Sequence, residues 1–280
     1  MNLQSSLTAS VYLWQHLGAK TSRQVKIHSV FPNGFNLLAK DLPALIFVTK
    51  HPQSVVAHGM VIDPQVFDRL SLVLQAGQNV RIHSDGWTFY TRPEPITVTW
   101  QDLELEDLKL PQMKSDLTGI DLLNQKLADH HIFPDSGFVK DEGLDQLRNA
   151  YLSKALGTEE EARIWAESLI GRGPGLTPSG DDFLQGMLVM EWFLDAGTSL
   201  AGLVSKALLN RSTTDIAQSY YQCVLDHQGN GTWIRLLQAI QSQDGDVMDF
   251  VIPIIKRYGH TSGCDILLGM QTYSQVWLDN

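Results

Sequence analysis

Residues 175–186 have the sequence GLTPSGDDFLQG, and residues 259–269 have the sequence GHTSGCDILLG. When Pro178 is left out, the two stretches align as G-x-T-S-G-x-D-x-L-x-G. Each stretch leads into apolar residues at helical spacing, so each is predicted to open a helix. One such stretch is weak evidence, but its repetition in one chain indicates two related helix starts.

The serines and aspartates shared by the two stretches suit helix caps. Ser179 and Ser262 are predicted N-caps, and Asp182 and Asp265 follow three residues later. This spacing gives the aspartate form of a capping box, in which the carboxylate also suits the positive helix end. For Asp182 and Asp265 we therefore favour a structural role over direct chemistry.

The shared glycines indicate close packing. Gly180 and Gly263 allow another backbone or a ligand to approach closely. Gly186 and Gly269 lower helix propensity, and close helix packing is the expected compensation. The two helices are therefore predicted to cross near these glycines, with both N-termini around one pocket.

The residues that differ between the stretches point to chemistry. In the alignment Asp181 faces Cys264, and His260 faces Leu176. Capping requires neither Asp181 nor His260, so these two are the predicted catalytic residues, for acid–base work or for hydrogen bonds to a substrate. The alternative is that the histidine is structural, as a lone histidine more often is.

The segment before the first stretch is a loop with special backbone angles. Residues 171–178, GRGPGLTP, contain three glycines and two prolines, and consecutive amides in such a loop form an anion nest. It is neither a Walker loop nor a dinucleotide fingerprint, so no cofactor is predicted. The predicted anion-binding residues here are Gly173, Gly175, Thr177, Ser179, Gly180, Asp182, Thr261, Ser262, Gly263 and Asp265.

A second polar segment adds three weaker candidates, Arg211, Thr213 and Thr214. They are candidates for binding a carboxylate or phosphate, and a plain N-cap is the slightly preferred alternative. No metal site is predicted. Asp181 and Asp182 nevertheless leave open a metal-dependent hydrolase, since adjacent carboxylates are able to hold Mg²⁺.

Composition limits the classes of partner. The 280 residues carry a formal net charge of -10, which disfavours nucleic acid as a partner. Cys223 and Cys264 stand alone, which fits a reducing compartment better than a disulfide framework. No apolar segment is long enough for a membrane span, and the first residues lack the basic start of a secretory leader. The predicted location is the cytoplasm.

The chain is predicted to be α+β, with a β-rich domain over residues 1–110 and a helical domain over residues 111–280. Short β-rich runs with close turns, such as Ser84-Asp85-Gly86, indicate a small sheet or barrel. The spacing of Leu3, Leu7, Val11, Trp14 and Leu17 predicts an N-terminal helix. In the second half, residues 158–161, TEEE, predict a capping box.

The two motifs resemble a known family. Residues 171–182 fit GxGPGLTPSxDD and residues 259–265 fit GHTSGxD, and both patterns are similar to motifs of the AllH-like family. The resemblance is looser over residues 212–219. This family includes one subunit of the oxamate carbamoyltransferase of anaerobic allantoin breakdown.

The resemblance implies carbamoyl transfer between oxalurate and phosphate, giving oxamate and carbamoyl phosphate. It further implies that the loop of residues 171–179 and the pair Thr261-Ser262 bind anionic oxygens. His260 or Asp181 would manage the proton of the attacking nitrogen. Other subunits are implied as partners, so the alternative is a non-catalytic subunit that binds a small anion or organises a complex.

Overall fold

The computed structural model describes residues 1–17, 22–51, 55–113, 118–197 and 200–279. The chain forms two compact units. The first contains Met1–Lys109 and Gln228–Gly231, and the second contains Leu110–His227 and Thr232–Asn280. The first unit is a β-barrel and the second is helical, which confirms the predicted α+β class.

The first unit is a closed eight-stranded barrel in the order β1-β5-β4-β3-β2-β6-β7-β8. Strands β1 and β8 are parallel, as are β4 and β5, and the other neighbours are antiparallel. The strands are β1 Asn2–Ser10, β2 Ser22–Phe31, β3 Gly34–Leu38, β4 Ile46–Thr49, β5 Gly59–Ile62, β6 Asn79–His83, β7 Gly86–Phe89 and β8 Ile96–Glu106. Two helices accompany them, α1 Val11–Leu17 and α2 Pro64–Ser71.

Alternation of side chains fills the barrel. On β2, Val25 and Ile27 are buried while their neighbours are more exposed, and Phe35, Trp87 and Phe89 add aromatic bulk to the core. In a small barrel alternate residues of each strand point inwards, and their side chains fill the interior. The predicted hairpin is confirmed, because β6 ends at His83 and pairs there with Gly86 of β7.

The predicted N-terminal helix is wrong over its first half. Residues Asn2–Ser10 form strand β1, and only Val11–Leu17 is helical. A separation of four residues, as between Leu3 and Leu7, fits a strand face as well as a helix face. Ser5, between those two leucines, is also buried, and its hydroxyl accepts the backbone N–H of Asp63 at 3.0 Å. Because a polar residue occupies a buried position, the hydrophobic residues of β1 do not show the alternation that is typical of a strand.

The second unit is built from helices packed around one core. The predicted capping box of α5 is confirmed, with Thr158 and Glu161 exchanging side-chain to backbone hydrogen bonds. Two 3₁₀ turns, Phe133–Asp135 and Gly137–Lys140, precede α4. The helices are α3 Thr118–Asp129, α4 Glu142–Leu152, α5 Glu159–Leu169, α6 Ser179–Phe193, α7 Leu200–Asn210, α8 Asp215–Leu225, α9 Gly231–Ser242, α10 Gly245–Lys256 and α11 Ser262–Leu278. In the part of the chain that the structure describes, no helix combines the length and apolar character needed to cross a membrane.

Helices α6 and α11 cross at the two predicted glycines. A Cβ atom on Gly186 would lie 2.0 Å from the carbonyl oxygen of Ile266, and one on Gly269 would lie 2.0 Å from that of Phe183. Phe183 and Ile266 are equivalent in the repeat, as are the two glycines. The reciprocal contacts therefore relate the two helices by an approximate two-fold axis, and the predicted crossing is confirmed.

We expect Gly186→Ala to lower the free energy of unfolding of the helical unit by about 2 kcal/mol or more, because the methyl group overlaps a backbone carbonyl that cannot move aside. Gly202→Ala on α7 is the matched control, since nothing lies within 4 Å of its Cβ position. That change should raise stability by about 0.5–1 kcal/mol. Denaturant unfolding of both variants measures the difference, and equal stabilities would contradict the close crossing.

Candidate active site

The two repeated helix starts lie side by side. Thr177, just before α6, shares a 2.9 Å hydrogen bond between its hydroxyl and that of Ser262, the first residue of α11. Because α6 and α11 cross a few residues further on, their N-termini point to the same end of the pair. Both motifs therefore contribute to one place on the helical unit.

The predicted capping boxes are wrong by one residue. The N-cap positions are Pro178 and Thr261, neither of which makes a side-chain cap hydrogen bond. Helix α6 begins at Ser179 and α11 begins at Ser262, so Asp182 and Asp265 lie at the fourth helical position, beyond the reach of a capping box. Each of these two side chains instead lies beside a hydroxyl group of the other motif.

Each buried aspartate interacts with hydroxyls from both motifs. The hydroxyls of Ser262 in the other helix start and of Thr177 in its own lower the pKa of Asp182 against burial, so they lie close to its carboxyl. The hydroxyls of Ser179 in the other start and of Thr261 in its own do the same for Asp265. The arrangement is reciprocal under the alignment of the repeat, so the shared residues T, S and D form one symmetric polar cluster. Oδ2 of each aspartate has no hydrogen-bond partner among the described residues.

Gly137 makes the surroundings of Asp265 differ from those of Asp182. Its backbone N–H donates to Asp265 Oδ1 at 2.8 Å, and it comes from the 3₁₀ turn before α4. Burial raises the pKa of both carboxyls, and it raises that of Asp182 well above its ordinary value, with a further rise from the charge of Asp265. Asp265 has this additional donor, and Asp182 does not.

Asp181 anchors the loop and a third helix. Its Oδ1 accepts the N–H of Gly171 at 3.1 Å and the hydroxyl of Tyr221 at 3.0 Å, and its Oδ2 accepts the hydroxyl of Thr213 at 2.6 Å. The side chain is fully buried, and burial raises the pKa of the carboxyl against the three hydrogen bonds. Asp181 thereby fixes the glycine loop and the segment before α8.

The glycine loop is exposed and has the unusual backbone angles that its sequence predicts. Gly171, Gly173 and Gly175 have φ values of 72°, 118° and 96°, a region that favours glycine. All three are exposed, and a Cβ on Gly175 would meet nothing within 4 Å. The loop is therefore an exposed run of backbone with left-handed turns, the kind of geometry from which nests are built.

Two predicted anion-binding glycines, Gly180 and Gly263, take part in packing, and their anion-binding role stays a prediction. The N–H of Gly180 donates to Arg172 O at 2.9 Å, and that of Gly263 donates to Tyr258 O at 3.0 Å. Cβ atoms at Gly180 and Gly263 would lie 2.1 Å and 1.8 Å from carbonyl oxygens of the preceding helices α5 and α10. The sequence predicted that a backbone or a ligand approaches these glycines closely, and in the structure a backbone carbonyl does so.

The second polar segment borders the same loop. Thr214 is the N-cap of α8, accepting from Ala217 N–H, and its hydroxyl donates to Leu176 O. Arg211 is exposed, and its Nε donates to the carbonyl oxygen of Glu167 at 3.0 Å. The plain cap is thus confirmed for Thr214, and an anion-binding role for this segment stays a prediction.

His260 is an exposed residue of the second motif. It follows Gly259, whose φ is 58°, and it directly precedes the N-cap Thr261. Among the described residues no hydrogen bond joins its ring to another group. By contrast, Arg172 of the glycine loop is held by Asp141 through two hydrogen bonds of 2.9 Å and 2.7 Å.

Sequence reasoning missed Gly137 and Tyr221. Gly137 lies in a short turn far from both motifs, and nothing in its sequence neighbourhood indicates a partner for Asp265. Tyr221 belongs to the apolar face of α8, and only its hydroxyl distinguishes it from a core residue. A buried carboxylate that needs donors is the general reason to look for such residues, but it does not say where they are.

The metal-dependent alternative receives no support from the donor set. Both oxygens of Asp181 already accept hydrogen bonds. Within the described ranges, no three histidine, cysteine, aspartate or glutamate side chains are grouped so that they could hold a metal ion. Asp181 could therefore bind a metal ion only by giving up these hydrogen bonds.

Comparison with known sequences fits these observations. A profile described as "Oxamate carbamoyltransferase subunit AllH" matches residues 169–274, and one described as "AllH family N-terminal domain" matches residues 5–105. The chain belongs to the AllH family. The first match starts at Leu169, whose carbonyl oxygen contacts Gly180, and it contains every predicted site residue. No solved structure matches the chain.

Membership gives the chain the role of a carbamoyltransferase subunit. A subunit by definition has other subunits as partners, so the surfaces of this chain include contacts with them. The family description does not assign chemistry to any residue.

We expect Asp182→Asn to become more stable, relative to the unaltered chain, as pH rises. The ordinary pKa of the carboxyl is 3.8, and burial raises it in the folded state. The folded chain then binds a proton more tightly than the unfolded chain, so stability falls as pH rises from that value towards the folded pKa. Asparagine stays neutral and removes this loss.

Thermal unfolding of both chains between pH 4 and pH 8 measures the effect. Asp121→Asn, at an exposed aspartate of α3, is the control and should show no such trend. A stability difference for Asp182→Asn that is constant across the range would mean that Asp182 is ionised throughout.

Proposed function

We propose that this chain is a cytoplasmic carbamoyltransferase subunit that binds small anions where the loop of residues 171–177 meets the turn of residues 259–262. The supporting observation is the hydrogen bond between Thr177 and Ser262, which joins two helix N-termini in a member of this family. The proposed ligands are carbamoyl phosphate, oxamate, oxalurate and phosphate. Two free, buried cysteines fit the proposed compartment.

The chemistry of these ligands suits backbone donors. All four are anions, and the N-terminus of a helix carries the positive end of its dipole. Residues 173 and 175 are exposed glycines, so their amides are accessible to a phosphate or carboxylate oxygen. The hydroxyls of Thr177 and Ser262 are half-buried beside them, and because one O–H lies in their mutual hydrogen bond, the pair adds at most one further donor. In a chain of net charge -10, local donors of this kind are the means of holding an anion.

The proposed reaction moves a carbamoyl group between nitrogen and oxygen. In one direction, the amide nitrogen of oxamate attacks the carbonyl carbon of carbamoyl phosphate. The new C–N bond forms as the C–O bond to phosphate breaks, and the nitrogen loses one proton. In the other direction, a phosphate oxygen attacks the carbamoyl carbon of oxalurate, and oxamate leaves.

His260 is the proposed carrier of that proton. Its ring is exposed beside Thr261 and is therefore accessible to a bound substrate. Asp181 was the other candidate, and its three hydrogen bonds support a positioning role, because they hold Gly171 and Thr213 around the loop. A direct proton transfer by Asp181 remains a sequence prediction.

The second candidate function is a non-catalytic subunit that organises a complex. The observation that favours it is the internal use of many polar groups. Asp181 and the amides of Gly180 and Gly263 are already bonded within the chain. A site of this kind stabilises the crossing of α6 and α11 whether or not a ligand binds.

Thermal shift of the purified chain separates the two functions. Phosphate, carbamoyl phosphate, oxamate and oxalurate are each added at increasing concentration, and a ligand bound only by the folded chain raises the melting temperature. We expect Ser262→Ala to lose at least half of the ligand-induced rise, whereas Ser205→Ala, at an exposed serine of α7, retains it. An undiminished rise in Ser262→Ala would move the anion site elsewhere, and no rise with any ligand would favour the organising subunit.

Turnover of the assembled enzyme tests His260. We expect His260→Ala to lower kcat by about 10²–10⁴, the usual contribution of a general acid or base, with little change in KM. His51→Ala, at an exposed histidine of the barrel unit, is the control and should leave kcat unchanged. Assembly is followed by size-exclusion chromatography, and an unchanged kcat in His260→Ala would remove this residue from the mechanism.

A further inference from the structure

Thr177 Oγ1 and Ser262 Oγ, which lie 2.9 Å apart, form a hydroxyl pair at the junction of the two motifs. Both hydroxyls lower the pKa of Asp182 against burial, so both lie close to its carboxyl. Thr177 and Ser262 are half-buried, whereas Asp182 is only 2% exposed. The hydroxyl pair therefore contacts a buried carboxyl and also reaches the surface of the helical unit.

The hydroxyl pair has one O–H group to spare. Each hydroxyl carries a single O–H, and one of the two lies in the hydrogen bond that joins Thr177 to Ser262. Two acceptors compete for the other O–H, namely the carboxyl of Asp182 and an anion bound at the site proposed above. The protonation state of Asp182 decides between them.

An ionised Asp182 takes the remaining O–H. A carboxylate only accepts hydrogen bonds, and Oδ2 of Asp182 has no hydrogen-bond partner among the described residues. A buried carboxylate that lacks donors is costly, so the remaining O–H of the hydroxyl pair turns towards it. The pair then presents only oxygen lone pairs to the surface, and these repel an anion.

A protonated Asp182 reverses the direction of these hydrogen bonds. Its carboxyl O–H donates to one hydroxyl of the pair, that hydroxyl donates to the other, and the O–H of the second hydroxyl is free for an anion. A hydroxyl accepts and donates at the same time, so every group in this chain has the donor and the acceptor that it needs. The hydroxyl pair binds an anion only in this arrangement.

The charges around Asp182 favour its protonated form. Burial raises the pKa of its carboxyl most, and the charges of Asp265 on α11 and Asp181 on α6 raise it further. Those two carboxylates each accept a backbone N–H. Tyr220 and Tyr221 of α8 also lie near Asp182, and burial raises the pKa of both phenols, so they stay neutral. A bound anion adds negative charge and favours protonation of Asp182 still more.

We propose that Asp182 sets the direction of the Thr177–Ser262 hydroxyl pair, so that a small anion binds there together with one proton taken up by Asp182. This inference rests on the anion site of the proposed function and adds a positioning residue to it, because Asp182 acts on the ligand only through the two hydroxyls. Protonated Asp182 is the form that binds, so anion affinity falls as pH rises and Asp182 ionises in the unliganded chain.

Isothermal titration of the full chain with oxamate and with sulfate between pH 6 and pH 9 tests the coupling. Both anions keep a constant charge over this range, so any proton that is taken up goes to the protein. Titrations in two buffers of different ionisation enthalpy give the number of protons bound with each anion. We expect this number to approach one at the upper end of the range, where the affinity should fall about tenfold for each unit of pH.

Asp182→Asn tests the carboxyl itself. The amide N–H of asparagine replaces the carboxyl O–H as donor to the hydroxyl pair, so this variant should bind both anions without proton uptake and with an affinity that does not change with pH. Asp121→Asn, at an exposed aspartate of α3, is the matched control and should retain the uptake. His260→Ala, which removes the titratable side chain of the turn of residues 259–262, should retain it as well.

Infrared difference spectra of the unaltered chain give a second measurement, which does not depend on the folding of Asp182→Asn. Addition of sulfate at the upper end of the pH range should convert a carboxylate band into a carboxylic-acid band. Absence of this conversion on binding would overturn the proposal.

The results of the titrations separate this inference from the proposed function. Absence of binding by both anions would overturn the anion site and this inference with it. Binding without proton uptake would leave the anion site in place and overturn the role of Asp182. Uptake that persists in Asp182→Asn, or that is lost in His260→Ala, would assign the proton to another group and would also overturn that role.

Discussion

The backbone contact between α6 and α11 at Gly186 and Gly269 is the constraint on which the candidate active site depends. With no side chain at either glycine, a carbonyl oxygen of each helix occupies the space that a Cβ would fill in the other. This close crossing brings the two helix starts within hydrogen-bond distance. The Thr177–Ser262 contact and the reciprocal hydroxyl–carboxyl pairs follow from it.

Burial of carboxyl groups sets the electrostatics of the same region. Asp181, Asp182 and Asp265 are all nearly or fully buried, and burial raises the pKa of each carboxyl. Donors decide how each is accommodated. Asp181 has three and Asp265 has the N–H of Gly137, whereas Asp182 has only nearby hydroxyls, and its Oδ2 has no hydrogen-bond partner among the described residues. The unequal number of donors breaks the symmetry of the repeat at these carboxyls.

The barrel unit contains a charged side chain, that of Arg23, at an inward-facing position. Arg23 stands where the alternation of β2 calls for an apolar residue, and two of its nitrogen atoms have no acceptor among the described residues. Arg23 and three tryptophans, Trp14, Trp87 and Trp100, line one cavity of this unit.

Sequence by itself determined the class of the fold, the two helix starts, the crossing at Gly186 and Gly269, and the left-handed angles of the glycine loop. These features depend on local residue preferences and on a repeat that is visible in the letters. Sequence reasoning placed the two N-caps one residue too late. It also predicted a helix where strand β1 lies, because a spacing of four residues fits one face of a helix and one face of a strand. Only the tertiary structure decided the partners of the buried groups. Gly137 reaches Asp265, Tyr221 reaches Asp181, and Arg23 joins the tryptophans through strand register. Such partners are distant in sequence, and a buried polar group requires a partner without specifying which element supplies it.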